Sequence, residues 1–467
     1  MAFAIRGVIE GFYGRPWSWA ERMRMIDFMG EQGYNLYIYA PKNDPIHRNR
    51  WREPYLPEEL ERFAALLRQC EARGITLVFG ISPLEFHYSD PGDLETLWRK
   101  LVPMHDLGIR HFSVLLDDMP DKLRYEDDAS HFGTLAAAQA WLNNDLLERL
   151  RALGGEVGLL FVPTEYCGEG TSAYLQELGE RLAPEVEIFW TGREVCAQYL
   201  TTADARVVSA TLRRQVLYWD NYPVNDGEMR FHPHIRPVRG RDADLHTACR
   251  GIVSNGSLEP EACKIALHTY ARYMADPVGY EPEAAWMEAL QAVCGDAADA
   301  AAVALLGDLS RRSALERGRH LGSYLLPKLN GFWAAWGGVP LSAGPDLPDL
   351  PPASGAPPAV CAAELAAAFD RMGEAAARLL GTMANPHLQA ELRPWAEKMA
   401  GWAAVGRGAL GVLARATVDP LDPALPALRV AVLDQLLNTR ENFAWVAGDL
   451  IDQFSRRCLW AADRLKG

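Results

Sequence analysis

Up to about residue 275 the chain alternates short apolar, β-rich runs with longer amphipathic stretches, and this alternation limits its fold more than any other feature. It is the pattern of repeated βαβ units, in which strands buried on both faces read as nearly continuous apolar runs. Eight candidate strands follow one another: Ile5–Glu10, Leu36–Ala40, Thr76–Ile81, His111–Asp117, Gly158–Pro163, Glu187–Thr191, Gln215–Asp220 and Gly251–Ser254. Helical spacing of apolar residues marks Trp17–Gln32, Pro57–Arg73, Asp93–Leu107, Ala136–Leu153, Ser172–Leu182 and Pro260–Met274 between them. Eight such alternations in this length match an α/β fold of the (β/α)8 TIM-barrel type. An open doubly wound sheet would place a glycine-rich phosphate loop after its first strand. Here the first strand runs into Gly11-Phe12-Tyr13-Gly14-Arg15-Pro16-Trp17, whose aromatic rings would crowd a pyrophosphate.

Beyond residue 275 the texture becomes Ala- and Leu-rich, with few strand signals. Ala284–Val293, Ala298–Leu325, Ala362–Met383, Leu388–Ala414 and Pro426–Gly467 carry apolar residues at helical spacing. The expected organisation is a β/α barrel over 1–275 and an α-helical bundle over 276–467, with a Gly/Pro-rich loop near 337–358. Exposed apolar helix faces in the second part would favour a homodimer, although periodicity alone does not separate self-association from bundle core.

A net charge of −14 argues against a nucleic-acid surface or an anionic-membrane binder, since either needs concentrated Lys and Arg. No apolar run is long enough to span a bilayer. The eight cysteines are scattered, without the close pairs of a zinc or redox site. The first strand begins within a few residues of Met1, leaving no room for a secretory leader, and a cytoplasmic protein is expected. His232 and His234 flank Pro233 in a loop-like context, and nothing resembling a metal-binding histidine pair follows the first strand. Neither a metal nor another cofactor is expected.

Polar and aromatic residues gather where the predicted strands end, and in a barrel those ends converge on one face. Strand one delivers Glu10 and Gly11, strand two Lys42 with Asn43 and Asp44, and strand four the adjacent carboxylates Asp117 and Asp118. Strand five leads to Thr164-Glu165-Tyr166-Cys167 and strand six to Trp190-Thr191-Gly192. Strand seven leads to Trp219-Asp220-Asn221 with Asn225 and Asp226, and strand eight to Asn255. Carboxylates, amides, a lysine and aromatic faces, with no thiol or hydroxyl nucleophile in an obvious constellation, suit a sugar-hydrolysing cleft. Two neighbouring carboxylates can divide labour, because like charges so close do not ionise independently. The duller readings are that aspartates close strands as turn formers, that Trp190 and Trp219 fill the core, and that part of the acidic cluster with Asp121, Asp127 and Asp128 is a solvated loop.

These segments resemble glycoside hydrolase family 84 over residues 5 to about 275. The resemblance is carried by Val8-Ile9-Glu10-Gly11-Phe12-Tyr13-Gly14-Arg15-Pro16-Trp17, Tyr39-Ala40-Pro41-Lys42-Asn43-Asp44, Trp51-Arg52-Glu53, Leu115-Leu116-Asp117-Asp118, Pro163-Thr164-Glu165-Tyr166-Cys167, Trp190-Thr191-Gly192, Trp219-Asp220-Asn221 and Asn225-Asp226. It implies a retaining exo-β-N-acetylglucosaminidase in which the substrate's own acetamido oxygen attacks C1 to give an oxazoline. The implied substrates are β-GlcNAc-bearing glycoproteins, peptides or other glycosides. By the same resemblance Asp117 would polarise the acetamido group and Asp118 would be the general acid and then base. Tyr166 would orient the acetamido oxygen and Trp219 would wall the acetyl pocket. Gly11, Lys42, Asn221, Asp226 and Asn255 would grip the sugar. The surroundings of Asn255 follow the family pattern only loosely, and Val162 stands where animal relatives carry a cysteine. For both aspartates to reach one sugar, the strand must end or bulge at the pair, because consecutive strand residues face opposite ways.

Overall fold

The computed structural model describes residues 2–311, 315, 324–336 and 358–465. The stretch 337–357, expected as a Gly/Pro-rich loop, and much of the expected helix up to Leu325 lie outside the described residues. The chain divides into two compact units, Met1–Gly227 with Pro237–Trp286, and Glu228–Arg236 with Met287–Gly467.

In the first unit eight parallel strands close into a barrel in sequence order. They are β1 (Ile5–Glu10), β2 (Leu36–Tyr39), β3 (Thr76–Ile81), β4 (His111–Leu115), β5 (Gly158–Val162), β6 (Glu187–Trp190), β7 (Leu217–Asp220) and β8 (Gly251–Asn255). Around them lie α1 (Trp19–Glu31), α2 (Pro57–Ala72), α3 (Pro91–Asp106), α4 (Glu126–Phe132), α5 (Leu135–Ala152), α6 (Ala173–Arg181), α7 (Thr202–Leu212) and α8 (Pro260–Ala275). The helices start where local chemistry says they should. Ser18 and Glu21 form a reciprocal capping box on α1, while α2, α3 and α8 open with proline in the first turn, where a missing N–H costs nothing.

The barrel closes through β1 and β8, with Ile9 opposite Asn255, and the residues pointing inward form its core. Ile9, Ile38, Val78, Leu115, Leu160, Phe189, Leu217 and Val253 are almost wholly buried there, each burial stabilising by roughly 1.5–3 kcal/mol. Trp219 belongs to the same cluster at the carboxyl ends of the strands, so the roof of the core is also the floor of whatever sits above it.

The second unit is helical: α9 (Pro282–Cys294), which begins in the first unit, then α10 (Ala297–Leu309), α11 (Leu326–Ala335), α12 (Pro358–Leu380), α13 (Pro386–Val418), α14 (Leu425–Glu441) and α15 (Leu450–Arg464). The long α13 is its axis, with α12, α14 and α15 packed along it. Residues 228–236 join this unit through the Phe231 carbonyl, which accepts from Trp395 Nε1 and from the Trp445 amide, each at 2.8 Å. The expected segment Pro426–Gly467 is two helices and not one. Ala447 and Gly448 adopt left-handed backbone between them, which an α-helix does not tolerate.

Candidate active site

At the carboxyl ends of the strands a pocket of about 150 Å³ is lined by Gly11, Lys42, Asp117, Asp118, Tyr166, Trp219, Asn221, Asp226 and Asn255, all nine of the residues expected at the site. They come from β1, β2, β4, β5, β7 and β8 or the loops that follow them. Other strand-end residues serve the scaffold. Glu10 is fully buried in a bidentate pair with Arg22, and Asp220 is paired with Arg241. Asp44 accepts from the hydroxyls of Tyr39 and Tyr55, and Trp190 is core.

The backbone explains how adjacent aspartates share one pocket. Regular pairing continues as far as the Leu116 amide, which donates to the Val162 carbonyl at 2.9 Å. Asp118 then takes φ 54°, a left-handed conformation uncommon outside glycine but more accessible to aspartate than to bulkier residues. The turn breaks the alternation of the strand, and both carboxylates enter the pocket. Such local strain is characteristic of positions held for function.

Each carboxylate has its own environment. Asp117 is buried and one of its oxygens is in contact with Lys42 Nζ, while Oδ1 is buried without a hydrogen-bond partner among the described residues. Asp118 is more open. Its Oδ2 accepts from the Tyr13 hydroxyl at 2.7 Å and its Oδ1 from the Tyr166 hydroxyl at 3.0 Å, with Lys42 Nζ 3.8 Å from Oδ2. Burial alone would raise the Asp118 pKa, but Lys42, the two phenols and Arg48 outweigh it and hold the pKa below the usual value. The same network pushes the Tyr13 hydroxyl up to about 12, through burial and its bond to the carboxylate. Arg48 Nη1 donates to Tyr13 at 2.6 Å and fixes that ring.

The opposite wall is an amide chain. Gly11 N–H donates to Asn255 Oδ1 at 3.1 Å, and Asn255 Nδ2 donates to Asn221 Oδ1 at 2.9 Å. The same oxygen receives Trp219 Nε1 at 2.8 Å. Asp226 accepts from the Tyr13 amide at 2.8 Å, and burial raises its pKa. A Cβ at Gly11 would lie 2.5 Å from the Trp219 ring, so only glycine lets the backbone pass this close.

Tyr13 and Arg48 belong to the site although the sequence did not single them out, as do the lining residues Val195, Cys196 and Val224. Tyr13 lies two positions beyond Gly11, inside a motif already noted, whereas Arg48 sits in a basic run that reads as surface. In the acidic segment after β4, Asp121 and Asp127 are exposed, in keeping with a partly solvated loop, but Asp128 is not. Asp128 is fully buried and accepts from the amides of Tyr88 and Ser89 at 3.2 and 2.6 Å. With His87 and Asp127 it forms the one group of metal-type donors among the described residues, and these donors are already engaged with protein groups. His232 and His234 stack on each other at 5.7 Å in the second unit.

A closed parallel barrel whose carboxyl rim holds a carboxylate pair, beside aromatic walls and an amide chain, is the architecture of a barrel glycosidase. Residues 6–307 match the family model described as beta-N-acetylglucosaminidase, and the chain belongs to that family. Protein O-GlcNAcase from Rattus norvegicus and from Mus musculus are each 35% identical to it over 274 residues, covering 57% of this chain. The chain spans 29% of the length of each of these relatives. A mutant of the O-GlcNAc hydrolase of Thermobaculum terrenum superimposes with a TM-score of 0.91 at 31% identity, covering 100% of this chain and 96% of the other. The solved structure of CpGH84B gives 0.81 at 27%, covering 98% and 77%.

Proposed function

We propose that the chain is a retaining exo-β-N-acetylglucosaminidase that removes terminal β-linked GlcNAc from glycoproteins, peptides or other glycosides by substrate-assisted catalysis. The observation that carries this reading is the disposition of Asp117 and Asp118. They are one residue apart and enter the pocket together, so they do not flank a sugar from its two faces as the acid and nucleophile of an ordinary retaining pair do. The nucleophile of the first displacement must come from the substrate. The unpartnered Oδ1 of Asp117 is an acceptor waiting for a donor, and an acetamido N–H supplies one.

In the first step Asp117 accepts that N–H and favours the positive charge growing on the acetamido group as its oxygen attacks C1. Asp118 gives its proton to the glycosidic oxygen, the C1–O bond breaks, and an oxazolinium ion forms with its N–H held by Asp117. In the second step Asp118 takes a proton from water, whose oxygen attacks C1 and reopens the ring. The free site holds Asp118 ionised, and substrate reverses this. When Tyr166 turns its hydroxyl from Asp118 Oδ1 to the acetamido oxygen, Asp118 loses a donor as the sugar displaces water, and both changes raise its pKa towards that of an acid. Trp219 and Gly11 wall the acetyl group, while Lys42, Asn221, Asp226 and Asn255 hold the sugar hydroxyls.

The eight free cysteines suit a reducing, cytoplasmic setting. A homodimer completes the proposal, with exposed Leu428, Val430, Leu437 and Trp460 as its apolar surface, and the solution mass measures it. The activity itself is tested by release of 4-nitrophenol from the aryl β-GlcNAc glycoside near neutral pH. Turnover is expected, and its absence with well-folded protein would overturn the reading.

A further inference from the structure

Behind the loop that carries Asp118 lies a second cavity, of about 420 Å³, that the catalytic steps leave unused. Its wall begins on both sides of the carboxylate pair, with Leu116 before it and Met119 and Pro120 after it. Its apolar surface continues through Leu84, Phe86 and Tyr88 on the segment after β3. The charges at its edge do not cancel. Arg52 is held by Asp93, and Arg124 by Glu85, which also lines the cavity. Exposed Lys122 has no hydrogen bond or ion pair among the described residues, and the exposed side chain of Asn49 has no hydrogen-bond partner among them either. The neighbouring Asp121 is not part of the lining. A chain of net charge −14 thus keeps an uncompensated cation and a free amide over an apolar floor.

We infer that this cavity is an aglycone subsite, built for the polypeptide part of a glycosylated substrate and accepting a carboxylate next to an aliphatic or aromatic side chain. The inference rests on the hydrolase reading above. Asp118 protonates the oxygen that leaves with the aglycone, so the aglycone departs on the side of Asp118. Met119 and Pro120 in the cavity wall directly follow Asp118 in the chain, which puts the cavity beside the loop of the acid. An extended peptide advances about 3.3 Å per residue, so residues two to four positions from the glycosylated one reach the cavity. There the apolar side chain is shielded from water, while Lys122 and Asn49 meet the carboxylate.

The experiment compares kcat/KM on three O-GlcNAc peptides with that on the aryl β-GlcNAc glycoside. The peptides carry an aspartate–phenylalanine pair, two alanines or a lysine–phenylalanine pair at the flanking positions. The unaltered enzyme should prefer the first by about fivefold, the worth of one exposed charge pair, and the preference should shrink as salt is raised. Lys122→Glu should abolish or invert the order of the acidic and basic peptides and leave the aryl glycoside unchanged, and Asn49→Ala should weaken the preference. The aryl substrate reports on folding and on the chemistry in every variant. If it turns over normally but the three peptides are cleaved alike, or Lys122→Glu leaves their ranking intact, the subsite is refuted and the hydrolase survives. If the unaltered protein does not cleave the aryl glycoside, the hydrolase reading fails and takes the subsite with it.

Discussion

At the scale of single residues, the division of labour between Asp117 and Asp118 is the most exposed part of the proposal. Asp118→Asn keeps shape and hydrogen bonding but has no proton to give, so it should cut hydrolysis of glycopeptides, whose leaving group is a poor one, by about 10²–10⁴-fold. Aryl glycosides with acidic leaving groups should lose only about tenfold. Asp117→Asn presents a weaker acceptor to the acetamido N–H, slows the attack itself, and should depress both substrate classes together. Steady-state kinetics on a series of leaving groups separates the two, and equal losses for Asp118→Asn across the series would remove it as the acid. The gathering of these residues was legible in the sequence, because residues that close parallel strands are confined to one rim, whereas their roles came from the family resemblance. What was not legible is conformational. That Asp118 would turn left-handed, and so bring its side chain beside that of Asp117, follows from no propensity. Tyr13 and Arg48 were missed because their importance lies in contacts between distant loops, Tyr13 on Asp118 and Arg48 on Tyr13.

At the scale of elements, strands were easier to read than helices. Strands buried on both faces announce themselves by unbroken apolar runs, whereas α4 carries Glu126, Asp127 and Asp128 in its first turn and hides its one buried carboxylate among them. The break between α14 and α15 begins with extended Asn442 and includes left-handed Ala447 and Gly448, of which only the glycine is a local signal. The junction of β7, β8 and α8 makes a measurable claim. Asn225, next to Asp226, donates to Glu259 Oε2 at 2.6 Å and accepts from the Leu258 amide at 2.8 Å, tying the two loops together. Burial pushes the Glu259 carboxyl up to about 7, against smaller opposing effects of Asn225 and Arg15. A raised acid pKa means that the native state binds the proton more tightly than the unfolded chain. Stability from this group is therefore present at pH values below the unfolded pKa of about 4.5, falls as pH rises through the window to about 7, and then levels off. Up to roughly 3 kcal/mol is at stake. Glu259→Gln keeps an acceptor for Asn225 but cannot ionise, so the pH dependence over this window should flatten. Denaturant midpoints at pH 5 and pH 8 check this, and identical pH profiles for the two proteins would show that Glu259 does not titrate there.

At the scale of the whole molecule, the proposed stereochemistry follows from where the barrel places the carboxylates. Six strands deliver side chains to one pocket, yet the proposed catalytic carboxylate pair arrives on a single strand, at adjacent positions of one turn. A retaining hydrolase of the ordinary kind needs an acid and a nucleophile on opposite sides of the sugar, about 5 Å apart, and an inverting one needs a wider gap to hold water. Adjacent carboxylates on one strand end fit neither plan, so the substrate must provide the missing face. Two consequences follow together. Attack by the acetamido oxygen and then by water inverts C1 twice, so the first-formed sugar should be the β-anomer, visible by proton NMR before mutarotation. The aryl β-glucoside, with a hydroxyl in place of the acetamido group, has no internal nucleophile and also leaves Asp117 Oδ1 without its donor, so its kcat/KM should be lower by at least about 10³-fold. An α-anomeric first product would mean that water attacks directly. Efficient turnover of the glucoside would mean that a protein group supplies the nucleophile, and either result would break the link between the strand-end geometry and the substrate-assisted route.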